Sequence, residues 1–210
     1  GRTKNKAMPS LKPVLLFVGK FFLGYILLIV LTLSLGWNKG HADWFAGTYG
    51  AIFHDFFKEA QIHASSIDSS TSSDDVQFKI YNRESIKKAR QDAKLRGEKN
   101  VRVDGLSWSF NTQRTVLMPF LFLLSLIIAY PIPWRRKLIS SVIGLVLFLG
   151  YYFLYLRGAL KLQMHKDNLF FSKYQLSDFS VNFFDNWLNS AVETGFLVMF
   201  FIWVVTTIRV

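Results

Sequence analysis

Apolar and polar positions fall in long blocks along this chain, and the sharpest boundary is a basic triplet. Thr115 to Trp134 holds 20 residues without a charge, Arg135, Arg136 and Lys137 follow, and Leu138 to Leu156 is again uncharged over 19 residues. An α-helix of about 20 residues spans roughly 30 Å, the thickness of a bilayer's hydrocarbon core. The two runs therefore predict transmembrane helices at 115–134 and 138–157, joined by a tight turn at 135–137 that Pro131 and Pro133 stiffen. Two further apolar runs predict helices at 14–37 and 191–208. The first follows a basic stretch to Pro13 without a convincing small-x-small cleavage site, and is read as a retained anchor rather than a signal peptide.

Between the spans the periodicity changes. Phe45, Tyr49, Ile52, Phe53, Phe56 and Ala60 recur at three- and four-residue spacing, widened by Trp44 and Phe57. This predicts an aromatic amphipathic helix over 41–63, lying along the membrane surface. A Ser-rich linker is expected over 64–75. Val76, Phe78 and Ile80 alternate with polar residues as in a strand, Arg83 to Gly97 reads as a charged helix with a glycine stop, and Val101 to Phe110 suggests further strands. The segment 76–110 is thus a small α+β element within the long loop 38–114, and 158–190 is a second loop. The expected fold class is membrane all-α: four transmembrane helices, an amphipathic surface helix and the small α+β element.

Composition agrees with a polytopic protein carrying one polar segment: 51% of the 210 residues are hydrophobic, yet the formal net charge is +11. The placement of that charge decides its meaning. Arg2, Lys4, Lys6, Lys12, Lys20, Arg135, Arg136, Lys137 and Arg209 all fall on one expected side, whereas the loop 38–114 carries 12 basic against 10 acidic residues. This is a positive-inside signature, not a nucleic-acid footprint. It expects both termini in the cytoplasm, with residues 1–13 as a cytoplasmic tail, as for a bacterial cytoplasmic (inner) membrane. The chain has no Cys, which excludes disulfides, thiolate catalysis and Cys-ligated metals.

Three polar groupings could carry chemistry. Asp55, Glu59 and His63 share one stripe on a helix over 41–63, a set that could bind a divalent metal or relay a proton; a solvated polar face is the plainer reading. Arg157 and Glu193 lie at the ends of two expected spans and predict an ion pair, since charges at the hydrocarbon edge find partners or snorkel. His165 beside Asp167, taken with Arg157, offers a general base near a cation, although no G-x-S-x-G elbow marks a nucleophile. No nucleotide or haem motif is present, and no cofactor is expected.

The stretch from Pro131-Ile-Pro-Trp-Arg-Arg-Lys-Leu138 through an apolar helix to Tyr155-Leu-Arg157, and then His165, resembles exosortase-like membrane transpeptidases over residues 131–205. The resemblance implies a membrane-embedded transferase or hydrolase acting on an envelope substrate, with Arg157 and His165 as carried-over site residues and Glu193 beside them. The family's nucleophile is a Cys preceding the hairpin. Trp108 to Arg114 occupies that region here without one, so thiol transpeptidation is not expected.

The leading expectation is a non-catalytic membrane subunit. It would contact other membrane or envelope proteins, or the lipid bilayer itself, through Trp44, Phe45, Tyr49, Phe53, Phe56 and Phe57. Rival expectations are the enzyme just described and a small channel or transporter subunit, which would need a polar helix face.

Overall fold

The computed structural model describes residues 11–67, 73–97, 103–167 and 174–208. The tail to residue 10, the centre of the Ser-rich linker at 68–72, Val101 and Arg209 lie outside the described residues. The chain runs α1 (Lys12–Ser34), α2 (Trp37–Phe53), β1 (Ala60–Ser66), β2 (Val76–Asn82), α3 (Arg83–Arg96), β3 (Leu106–Phe110), a π-helical turn (Gln113–Leu117), α4 (Met118–Ala129), α5 (Trp134–Lys166), α6 (Asp178–Asn189) and α7 (Ala191–Ile208). It is mostly helical, with one small three-stranded sheet.

Helices α1, α4, α5 and α7 pack together. The seam of α5 is a buried row at helical spacing: Ser140, Gly144, Phe148, Tyr152 and Tyr155. Gly144 lets Leu123, Ile127 and Ile202 approach its backbone, and the Ser140 hydroxyl donates to the Thr206 carbonyl at 2.9 Å. Small residues at such contacts bring helix backbones close. Gly150, further along α5, faces open space. Apolar residues such as Leu15, Leu23, Leu27 and Val30 of α1 and Val142 and Val146 of α5 are exposed. Hairpin α4–α5 closes where Pro131 and Pro133 interrupt the backbone ladder, so the turn expected at 135–137 lies earlier and Arg135, Arg136 and Lys137 belong to the first turn of α5. Lys137 Nζ donates to the Ile128 carbonyl that the break leaves over.

Two helices, α1 and α5, are long and apolar enough to cross a membrane, and the pair α6–α7, bent by 88° at Ser190, offers a third span. Four matched spans are not what the backbone shows. The π-turn and α4 together cover only 17 residues, about 25 Å at helical rise. Helix α5 runs 33 residues, about 50 Å, and does not stop at Arg157. Good helix formers (Ala159, Leu160, Lys161, Leu162, Gln163 and Met164) carry it on, and His165 and Lys166 favour its C-terminal dipole. The segment expected as loop 158–190 therefore holds the last turns of α5 and the whole of α6.

The surface helix expected over 41–63 is also corrected. Gly36, at φ +67°, breaks the chain after α1, and α2 starts at Trp37 and ends at Phe53. The chain then turns over residues 54–59, and Ala60–Ser66 is strand β1 rather than helix and linker. Gly47 and Gly50 weaken the helix, and Gly50 is where β1 comes closest: a Cβ there would stand 3.0 Å from the Ala64 Cβ. Strand β1 pairs antiparallel with β2, Ala60 opposite Asn82 through Ser66 opposite Val76, and β2 pairs antiparallel with β3. The buried positions Ala60, Ile62, Val76, Phe78, Ile80 and Phe110 form one apolar face. Helix α3 follows the expected bounds, capped by Asn82 Oδ1 on the Glu84 and Ser85 amides and stopped by Gly97 at φ +69°.

Candidate functional site

The aromatic stripe of α2 faces inward. Phe45, Tyr49, Phe53 and Phe57 are buried, whereas Trp44 and Phe56 are 47% and 42% exposed. Phe45 packs on Phe110, Phe53 stacks on Phe153 at 5.3 Å, and the Tyr49 hydroxyl donates to the Leu149 carbonyl at 3.1 Å. So α2 clamps the sheet to α5. Four of the six residues expected to meet a partner or lipid are spent on that clamp, because the sheet and α5 supply an apolar surface that the sequence does not announce. Burial pushes the Tyr49 hydroxyl up to about 12.

Beside the clamp, a polar chain ties the sheet to the helices. Asp75, just before β2, accepts from the Thr112 amide at 2.7 Å, the Thr112 hydroxyl at 2.9 Å and the Gln113 amide at 3.1 Å. The carboxylate thereby caps the amide end of the π-turn. Thr112 Oγ1 lies 3.3 Å from His41 Nδ1. With its own proton committed to Asp75, Thr112 accepts from His41, which therefore carries its proton on Nδ1. Desolvation lowers the His41 pKa to about 4 against the opposing pull of Asp75. Pro119 has no N–H to offer the Thr115 carbonyl, and the Tyr152 hydroxyl donates to it. Gly195 of α7 lies against the same place, where a Cβ would meet Pro119 at 3.2 Å.

These supports surround a cleft of about 330 Å³ between the edge of β3 and the far ends of α5 and α6. Trp108, Ser109, Phe110 and Asn111 form its sheet wall; Tyr155, Gln163 and Lys166 its α5 wall; Asp185, Asn189 and Ala191 the third side. Lys166 pairs with Asp185 at 2.5 Å across the α5–α6 boundary, and Ser109 donates to Asp74 at 2.8 Å. Among the described strands β3 has a neighbour on one side only. The opposite edge of the sheet is covered: the Ile62 amide bonds the His54 carbonyl at 3.1 Å, and Gly50 of α2 abuts Ala64.

The other residues singled out by sequence are dispersed. Asp55 and Glu59 sit in the turn before β1 and His63 within β1, so the three share no helical stripe. Asp55 is instead held by His54 at 2.9 Å and by Arg83, and hydrogen bonding from His54 leads in keeping its carboxyl below the usual range. His54 and His63 rings meet at 4.9 Å. Among the described residues no three His, Asp or Glu side chains are grouped to hold a metal ion. Arg157 and Glu193 do not pair: the Arg157 guanidinium stands 5.8 Å over the Phe56 ring, and Glu193 is exposed on α7. His165 Nδ1 lies 3.3 Å from both the Tyr174 carbonyl and the Leu176 amide, bracing the chain that leads into α6. None of the described contacts joins Arg157, His165 and Glu193. Trp108–Arg114, where a nucleophilic Cys would be sought, forms β3 and enters the π-turn.

Sequence reasoning missed the cleft because its walls come from Asp74 and three distant segments, 108–115, 155–166 and 185–191, each unremarkable alone. One signal was available: Ser177 followed by Asp178 opens α6 as an N-cap, its Oγ accepting from the Ser180 amide at 3.3 Å. Comparison with protein-family models, curated proteins and solved structures found no match.

Proposed function

We propose that this chain is a non-catalytic membrane subunit that holds a partner protein beside the membrane, and that the cleft at the β3 edge receives an extended segment of that partner. The observation supporting this is the pairing of an open strand edge with a polar cleft on a braced support. An added strand gains main-chain hydrogen bonds along such an edge, and flanking side chains select its sequence. Lys166, Asp185, Gln163 and Asn189 supply the polar selection, and Trp108 and Phe110 the apolar part.

In this reading the sheet lies outside the cytoplasm and the basic first turn of α5 inside. Helices α1 and α5 both begin at the hairpin end, where Phe17 stacks on Trp203 and meets Tyr130. The chain must return between them, and α4 makes that crossing. It is short for a bilayer but buried among its neighbours, so it need not match the lipid thickness itself. A catalytic role has less support, since Arg157, His165 and Glu193 serve separate neighbourhoods. A channel would need a polar helix face, and the exposed faces of α1 and α5 within their uncharged runs are apolar.

The test is recovery of partners from native membranes in mild detergent, comparing wild type with Gln163→Trp, which fills the cleft. Wild type should bring down a stoichiometric membrane or envelope protein, and the variant should lose it at least tenfold while inserting normally. Equal recovery by both, or a monodisperse wild type without partners, removes the reading.

A further inference from the structure

Helix α6 was unassigned by the sequence and is unused by the cleft except through Asp185 and its last turn. Its wheel has two sides, with Ser180 falling within the apolar one and Asn186 at the boundary beside Phe179. Asp178, Asn182, Asp185, Asn186 and Asn189 fill one arc, and Phe179, Phe183, Phe184, Trp187 and Leu188 fill the other. The apolar arc is only half covered. Phe184 lies on Gly158, within the space a Cβ would take, and Trp187 packs on Tyr151 and Tyr155. Phe179 and Phe183 continue that arc but are 80% and 52% exposed.

Three observations say what covers them. Helix α6 stands 88° from α7, with Ser190 alone between them. If α7 crosses a bilayer, α6 lies in its plane. Its level is set by α5: Phe184 and Trp187 touch Tyr155 and Gly158, where the uncharged run of α5 ends and Arg157 begins. Trp and Tyr collect at that level of a membrane, as Tyr151, Tyr155 and Trp187 do here. Its rotation is set by Asp185, which reaches Lys166, nine residues beyond Arg157 and about 14 Å further from the hydrocarbon. The polar arc therefore faces away from the membrane, and Phe179 and Phe183 face into it.

We propose that α6 is a lipid-seated interfacial helix, whose Phe179 and Phe183 side chains insert at the headgroup–acyl boundary of the leaflet nearest the sheet. The inference rests on reading α1, α5 and α7 as membrane-spanning. Its consequence is mechanical: the third wall of the cleft rides on the membrane surface, so the cleft opens at a fixed height above it.

The chain has no Cys, so single-Cys variants report unambiguously. The full-length protein is spin-labelled at F179C, F183C, N182C or V146C and reconstituted in phosphatidylcholine–phosphatidylglycerol vesicles. Collision of the label with oxygen, which partitions into lipid, is compared with collision with a water-soluble nickel chelate. The expected result is oxygen-dominated collision at 179, 183 and 146, and nickel-dominated collision at 182. Position 146 lies on the exposed apolar face of α5; nickel access there would overturn the membrane reading and this inference together. Oxygen access at 146 with nickel access at 179 and 183 would overturn the inference alone. Protection from both reagents at 179 and 183 would assign those residues to a protein contact, also against it.

Discussion

At the scale of single residues, the informative side chains are polar groups placed where the helices meet the sheet. His41 is the clearest. Its lowered pKa, to about 4 from 6.5, means that the folded protein holds it neutral while the unfolded chain protonates it on mild acidification. The unfolded state then binds more protons between those values, so stability is fully present above about pH 6.5 and is lost as pH falls towards 4, by at most ~3 kcal/mol. The thermal midpoint in detergent should thus fall between pH 7 and pH 5 in wild type. In His41→Gln, which cannot titrate, the fall should be clearly smaller; an equal fall would show that another group carries the acid sensitivity. The residues chosen by sequence fared unevenly at this scale. Arg157 was expected beside Glu193, but its guanidinium lies over the Phe56 face instead.

At the scale of elements, boundaries turned on partners. Strand β2 and helix α3 were legible because their own residues specify them: strict alternation at Val76, Phe78 and Ile80, a capping Asn82 and a stopping Gly97. Strand β1 was not. Its short alternation, Ala60 and Ile62 inward and Gln61 and His63 less so, was absorbed into the helical spacing of the aromatic residues before it. Only the presence of β2 alongside decides for a strand. Helix α6 comes closest to α5 at Gly158, and Gly158→Val should break that contact, since the new side chain would occupy the Phe184 ring position. The expected cost is about 1–3 kcal/mol, read as a lower thermal midpoint. Faster proteolysis between α5 and α6 should accompany it, and unchanged proteolysis would mean that α6 is held by other contacts. Gly144→Ala, which meets only ordinary contacts, should be mild by comparison.

At the scale of the whole molecule, the arrangement is an apolar helical bundle with a small sheet fastened to one end by α2. The orientation expected from the charge pattern is open to a direct test. In intact cells a membrane-impermeant maleimide should label a single Cys at Ser107 of β3 and leave one at Arg136 unlabelled until the membrane is opened. The reverse pattern would invert the topology. The aromatic residues of α2 illustrate why exposure cannot be read at lower scales: an amphipathic face looks the same in sequence whether it meets lipid, a partner or the protein's own sheet.

What the sequence determined by itself are the properties that depend on neighbours along the chain. The apolar character of α1 and α5, the prolines that break the chain between α4 and α5, the strand at 76–82 and the capped helix after it all follow from local composition and spacing. Tertiary structure alone decided the rest. It made the aromatic stripe into core and carried α5 past Arg157. It also turned α6 across α7 and assembled the cleft from segments far apart along the chain, from Asp74 to Ala191. The physical reason is the same in each case: burial and hydrogen-bond satisfaction are summed over surfaces that distant segments share, and no single segment carries that sum.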